Sequence, residues 1–223
     1  MEVLFLLISI ICLPYLIYGD EGLTFDVNKL KISKQTDQIM IVVPRDHYTY
    51  SGKFYYYIKK GNQWVEIMNT EAHIGQDGLG KLIQDDRKTP VGVYSFNCYF
   101  GINDNPGTKL PYVKLNESHY WQQDSSAERY NQLVNIETFK DFDTNECEHL
   151  IEETLGYRYA MNINYNEKGI PFKGAGIFLH CFTAKPYTGG CVALSEVDMI
   201  KVFRNINKNA LILIDYLENI YNY

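Results

Sequence analysis

Short runs of β-branched and aromatic residues, each closed by a turn signal, recur along almost the whole chain and leave little length for helices. Ile39 to Val43, Phe54 to Ile58 and Trp64 to Met68 are separated by Pro44-Arg45-Asp46 and Gly61-Asn62, which predicts an antiparallel meander at the start of the fold. Val91 to Tyr99 continues the pattern, and Tyr157 to Tyr165, Ala175 to Phe182 and Ala210 to Ile214 also read as strands. The 19 tyrosines lean the same way, with Tyr48 to Tyr50 and Tyr55 to Tyr57 read as strand packing. Only two segments suggest helices. Glu146 to Leu155 places Leu150, Ile151 and Leu155 among acids, and Ser195-Glu196-Val197-Asp198 resembles a capping box ahead of Val197, Ile200, Val202 and Phe203. From Gly101 to Asn135 the chain is rich in Asn, Asp, Gly, Pro and Ser yet carries Tyr112, Tyr120, Trp121 and Tyr130, the composition of a functional loop region. The expectation is one mainly β domain, with no repeat and no linker.

Residues 1–19 hold a nearly unbroken apolar run followed by Asp20-Glu21, which reads as a secretory signal peptide, although Glu2 stands where a basic residue is usual. An uncleaved anchor is the alternative, disfavoured by Pro14 and by the short span. The domain proper is then 20–223, secreted or held in the cell envelope, with no stable membrane contact once the leader is removed. Cys98, Cys147, Cys181 and Cys191 remain, an even set that reads first as two disulfides. If Cys191 is a nucleophile, one bridge from Cys98 to Cys147 and two free thiols is the preferred arrangement. A formal charge of −6 and the lack of a basic stripe argue against nucleic acid as a partner.

One segment carries the chemistry. In Gly176-Ile-Phe-Leu-His180-Cys-Phe-Thr-Ala-Lys-Pro-Tyr-Thr188-Gly-Gly-Cys191-Val, an apolar run ends in a histidine, and a short loop leads to a cysteine behind two glycines. Two strands meeting at one edge bring His180 to Cys191, and an imidazole can take the thiol proton and leave a reactive thiolate. Gly189 and Gly190 allow a tight turn, and N–H groups of Gly190 and Cys191 could face a developing oxyanion. His180 needs an orienting partner on its other ring nitrogen, for which a backbone carbonyl just after it would serve. On spacing alone, buried structural residues or a disulfide remain open. Zinc is disfavoured because adjacent His180 and Cys181 point to opposite faces of a strand, and neither metal nor cofactor is expected.

The same segment resembles the L,D-transpeptidase (YkuD-like) family, whose histidine, loop and Ser/Thr-x-Gly-Cys pattern is matched by His180, Thr188, Gly189, Gly190, Cys191 and Val192. A distant stretch, Gly80-Lys81 followed by Asp86-Arg87-Lys88-Thr89-Pro90-Val91-Gly92, is similar to a second element of that family. The resemblance runs from about Ile39 to Ile214. It implies a YkuD-like β-sandwich or barrel-type catalytic domain with a few short helices, acting as a monomer on peptidoglycan stem peptides. Cys191 would attack the amide after the third stem residue, His180 would serve as base and then acid, and Thr188 would line the site. An amine acceptor would give a crosslink, and water would give L,D-carboxypeptidase action. A noncatalytic wall-binding module on the same fold and a generic cysteine amidase are the alternatives. The sequence departs from the family at Gly189, where His or Ala is usual, and at Ala193, where Arg or Asn is common; both bear on acceptor choice. Tyr112, Tyr120 and Trp121 are expected either to flank the cleft or to pack under the loop, and Lys88 to meet a stem carboxylate or lie in solvent.

Overall fold

The computed structural model describes residues 23–139 and 143–223, so the apolar leader expected over 1–19 lies outside it. In chain order the strands are β1 (Gln38–Pro44), β2 (Ser51–Lys60), β3 (Gln63–His73), β4 (Gly92–Tyr94), β5 (Phe96–Gly101), β6 (Val113–Lys114), β7 (His119–Gln122), β8 (Leu133–Asn135), β9 (Cys147–His149), β10 (Ala160–Ile163), β11 (Phe178–Cys181), β12 (Val192–Leu194) and β13 (Leu211–Ile214). Helix α1 (Glu196–Asn205) stands between the last two, and the other helical pieces among the described residues are short 3-10 turns. A ten-stranded sheet runs β4-β13-β1-β2-β3-β12-β11-β10-β5-β6, and a separate three-stranded sheet runs β8-β7-β9.

The β1-β2-β3 meander forms as the turn signals predict, with β1 parallel to β13 on its other side. Side-chain alternation explains why this stretch is so apolar. Met40, Val42, Phe54 and Tyr56 enter the principal core on one face, while Ile39, Ile41, Val43, Tyr55 and Tyr57 enter a second core on the other. Full burial of each isoleucine contributes about 2 to 3 kcal/mol relative to exposure. The Tyr56 hydroxyl keeps a partner by donating to Gln38 Oε1 at 2.8 Å, and that of Tyr57 by donating to Glu66 Oε2 at 2.6 Å. Tyr48 to Tyr50, by contrast, are not strand packing. They lie in the turn before β2, where Tyr48 is 98% exposed.

Helix α1 starts where Ser195 caps it, its Oγ accepting from the Asp198 N–H at 3.1 Å. Asp198 does not complete a capping box. Its shorter carboxylate accepts from the Ser195 hydroxyl at 2.6 Å and from Thr70 Oγ1 at 2.9 Å instead, fastening the helix start to β3. Met199, Val202 and Phe203 form the buried face, whereas Val197, expected to belong to it, is exposed. The helix expected over Glu146 to Leu155 is absent: Cys147–His149 is β9, paired with β7, and a 3-10 turn follows. The 101–135 stretch likewise acquires order from pairing, and its short strands enclose a third core around Phe100, Trp121, Tyr157 and Phe178.

The expected bridge from Cys98 to Cys147 does not form, and all four cysteines among the described residues are free thiols. Cys98 packs against the third core, while the Cys147 Sγ lies 3.3 Å from both Gln122 Oε1 and the Asp143 carbonyl oxygen, either of which can take its single proton.

Candidate active site

Strands β11 and β12 run parallel, with Leu179 opposite Val192 and His180 opposite Ala193. Continued one step back, this register sets Cys191 opposite Phe178, whose N–H donates to the Cys191 Sγ at 3.2 Å. Phe178 and His180 are two apart on one strand, so the thiol and the imidazole project from the same face. Leu179 and Cys181 project from the other, and Cys181 is buried in the principal core, its thiol donating to the Tyr159 carbonyl at 3.6 Å. Cys181 therefore stands on the wrong side of the sheet to bridge Cys191 or to share a metal with His180. Among the described residues no His, Cys, Asp and Glu grouping is arranged to hold a metal ion.

His180 is buried, and its Nδ1 lies 2.7 Å from the Cys181 carbonyl oxygen. A carbonyl only accepts, so Nδ1 carries the proton and Nε2 is left as the basic nitrogen. The expected backbone orienter is thus in place. Burial pushes the His180 pKa down, against a smaller upward pull from that carbonyl and from Glu153. Burial also pushes the Cys191 thiol up to about 12; the Phe178 N–H and Lys81 oppose this, while Glu148 adds to it. The resting thiol donates to the Gly176 carbonyl at 3.3 Å. Both groups rest uncharged, so thiolate formation has to coincide with proton transfer to the imidazole.

The loop before Cys191 is fixed by two hydroxyls. Thr188 Oγ1 and Thr89 Oγ1 both donate to the Cys191 carbonyl, at 2.7 and 3.1 Å. Thr89, fully buried, also accepts from the Gly75 N–H at 2.8 Å, and Thr188 bridges to Gly75 in a parallel pairing. This explains why two stretches about a hundred residues apart share the motif pattern: the Lys-Thr-Pro element is the floor beneath the cysteine loop. Gly190, at φ +145°, is required there, since a Cβ would come within 2.9 Å of the Lys88 carbonyl oxygen. Its N–H, expected as an oxyanion donor, is bonded to Thr188 Oγ1 at 3.1 Å and would have to leave that hydroxyl to serve.

A cavity of about 500 Å³ opens over this pair, and Cys191, His180, Thr188 and Gly189 all line it. Tyr112 and Trp121 do not. Tyr112 packs on Phe203 and donates to the Asn103 carbonyl, and Trp121 is buried against Phe178 with its indole N–H on Asn131 Oδ1 at 3.1 Å. Tyr120 stacks on His149. Lys88 is also absent from the wall, where the cations are Lys81 and Lys185. Lys81 is committed to Asp86 at 2.9 Å and to the Ile83 carbonyl. Sequence reasoning missed Glu148, Glu153, Tyr157, Gln123, Gln84 and Asp85, which also line the cavity. Tyr157 sits edge-on to His180, with ring centres 5.7 Å apart, and donates to Glu148.

The YkuD L,D-transpeptidase catalytic domain model matches residues 37–214. Comparison with curated proteins returns no match. Among solved structures, Bd1075 of Bdellovibrio bacteriovorus is 17% identical over 83% of this chain and 50% of its own, with a TM-score of 0.41. The helical cell shape determining protein Pgp2 of Campylobacter jejuni is 15% identical over 81% of this chain and 48% of its own, again at 0.41. An L,D-transpeptidase from Mycobacterium smegmatis is 12% identical over 80% and 58%, at 0.37. The chain therefore spans about half the length of these solved proteins. With the family pattern matched across residues 37–214, from β1 through the cysteine loop to β13, the chain belongs to the YkuD family of L,D-transpeptidase catalytic domains.

Proposed function

We propose that this protein is a secreted, cysteine-dependent L,D-transpeptidase acting on peptidoglycan stem peptides, with Cys191 as nucleophile and His180 as general base. The observation that carries this reading is the shared face of β11 and β12, which points a thiol and a tautomer-locked imidazole into one cavity. In the proposed reaction Cys191 Sγ attacks the carbonyl after the third stem residue as its proton passes to His180 Nε2. The tetrahedral intermediate expels the terminal D-alanine, which takes that proton and leaves a thioester. An acceptor amine then attacks the thioester and gives its proton to His180, the Cys191 thiolate departs, and the imidazolium reprotonates it. Water as acceptor gives trimming instead of a crosslink. The catalytic dyad needs no metal or cofactor for these steps.

The test is D-alanine release from a tetrapeptide stem, with and without an added stem acceptor. Loss of release in both Cys191→Ala and His180→Ala, with a Cys191-bound thioester trapped in the wild type, supports the assignment. Full activity in Cys191→Ala refutes it, and a folded wild type that binds the stem without turnover indicates a wall-binding module.

A further inference from the structure

Glu148 is an unhelpful neighbour for a cysteine nucleophile. Its carboxyl stands in the cavity wall with Cys191, where its charge opposes formation of the thiolate. Its two oxygens accept from neutral donors, Oε1 from the Tyr157 hydroxyl at 2.5 Å and Oε2 from Gln123 Nε2 at 3.0 Å. Among the described residues it has no ion-pair partner. Lys81 is held by Asp86; of the other two wall carboxylates, Glu153 is turned to the Gly156 N–H at 3.0 Å and Asp85 is exposed to solvent. Burial pushes the Glu148 pKa up, as expected where no cation offsets lost hydration. The fold gains little from such a carboxyl, yet Tyr157 and Gln123, from two different segments, both hold it in place.

Resting on the function proposed above, we propose that Glu148, oriented by Tyr157 and Gln123, receives the primary ammonium of a diamino residue in the stem peptide and so determines substrate specificity. A cation brought by the substrate supplies the missing counterion, and the cost of the apo arrangement becomes affinity in the complex. It also removes the negative charge that opposes the thiolate. Cys191 is then easier to ionise when the matching stem is bound than when the cleft is empty. A stem whose side-chain nitrogen is acylated brings no charge and leaves the carboxyl unpaired, which costs more than the lost contact alone.

The experiment compares D-alanine release from a tetrapeptide stem bearing a free side-chain ammonium and from the same peptide N-acetylated there, using wild type, Glu148→Gln and Glu148→Asp. Wild type is expected to prefer the free ammonium by roughly 10- to 100-fold in kcat/KM. Glu148→Gln should collapse that preference, chiefly by raising KM for the free peptide, and Glu148→Asp should restore part of it. Iodoacetamide should label Cys191 faster in folded Glu148→Gln than in wild type, whereas a misfolded variant would label Cys98 and Cys181 as well. A preference that survives in Glu148→Gln, or a wild type with none, overturns the inference while leaving the transpeptidase reading intact. A wild type that releases D-alanine from neither peptide refutes that reading and this inference with it.

Discussion

Replacing Thr89 or Thr188 by valine keeps the side-chain shape and removes one hydroxyl from the pair that holds the Cys191 carbonyl. In Thr89→Val the buried Gly75 N–H loses its acceptor and Cys191 O keeps only Thr188. An orphaned buried donor costs about 1 to 3 kcal/mol and the lost bond to the carbonyl roughly 1 more, so the expected destabilisation is about 2 to 4 kcal/mol. Thr188→Val likewise orphans the buried Gly190 N–H and removes the other donor to the carbonyl, so about 2 to 4 kcal/mol is expected there too. The double variant removes both donors from one oxygen. Each single variant leaves the carbonyl with a partner, and only the double leaves it with none, so its destabilisation should exceed the sum of the singles by about 1 kcal/mol. Urea denaturation of the four proteins measures this coupling directly. The rate of Cys191 alkylation in the same set reports whether the loop shifts. Additivity within roughly 0.5 kcal/mol would refute the shared-acceptor account, because independent sites behave that way.

With the thiol pushed up to about 12 by burial, Cys191 alkylation in the empty enzyme should keep rising through pH 9, and a plateau near pH 7 would contradict a neutral resting pair. His180 is held below its ordinary value of 6.5, so its neutral form stabilises the fold above that pH and the contribution is lost as pH falls beneath it. Thermal stability should therefore decline between pH 7 and 5 more steeply in wild type than in His180→Gln. Trp121→Ala should cost about 3 to 5 kcal/mol in a denaturation experiment, whereas a residue that flanked the substrate would chiefly raise KM. Denatured, non-reduced protein comprising residues 20–223 should titrate four thiols, and a count of two would restore the Cys98 to Cys147 bridge.

The central strands and the reactive pair were legible for the same reason: local sequence decides them. Ile39 to Val43 is apolar on both faces and can only be an interior strand, and His180 and Cys191 flank one loop, so strand alternation aligns them. Glu148 was not legible. Acids interleaved with Leu150 and Ile151 imitate an amphipathic helix, and only the pairing of Trp121 with Glu148 across β7 and β9 turns that stretch into a strand and its carboxyl into the cavity. The aromatics of the 101–135 region were ambiguous because large rings serve equally as cleft walls and as core; the third core took Trp121, and Tyr112 packs on Phe203. The cysteine pairing failed as an expectation because it depends on distances that spacing does not encode.

The parallel ladder between β11 and β12 separates two properties that most catalytic pairs share. The spacing of thiol and imidazole is set by the pairing of the two strands and by Thr188, while residues 182–187 supply cavity wall through Thr183, Lys185 and Tyr187. Insertions, deletions or wholesale grafts between Phe182 and Tyr187 should alter which peptides enter without displacing the reacting atoms, provided that Thr188 keeps its pairing to Gly75. That segment is the natural place to introduce variation in a library seeking new acceptors, with the chemistry carried along unchanged.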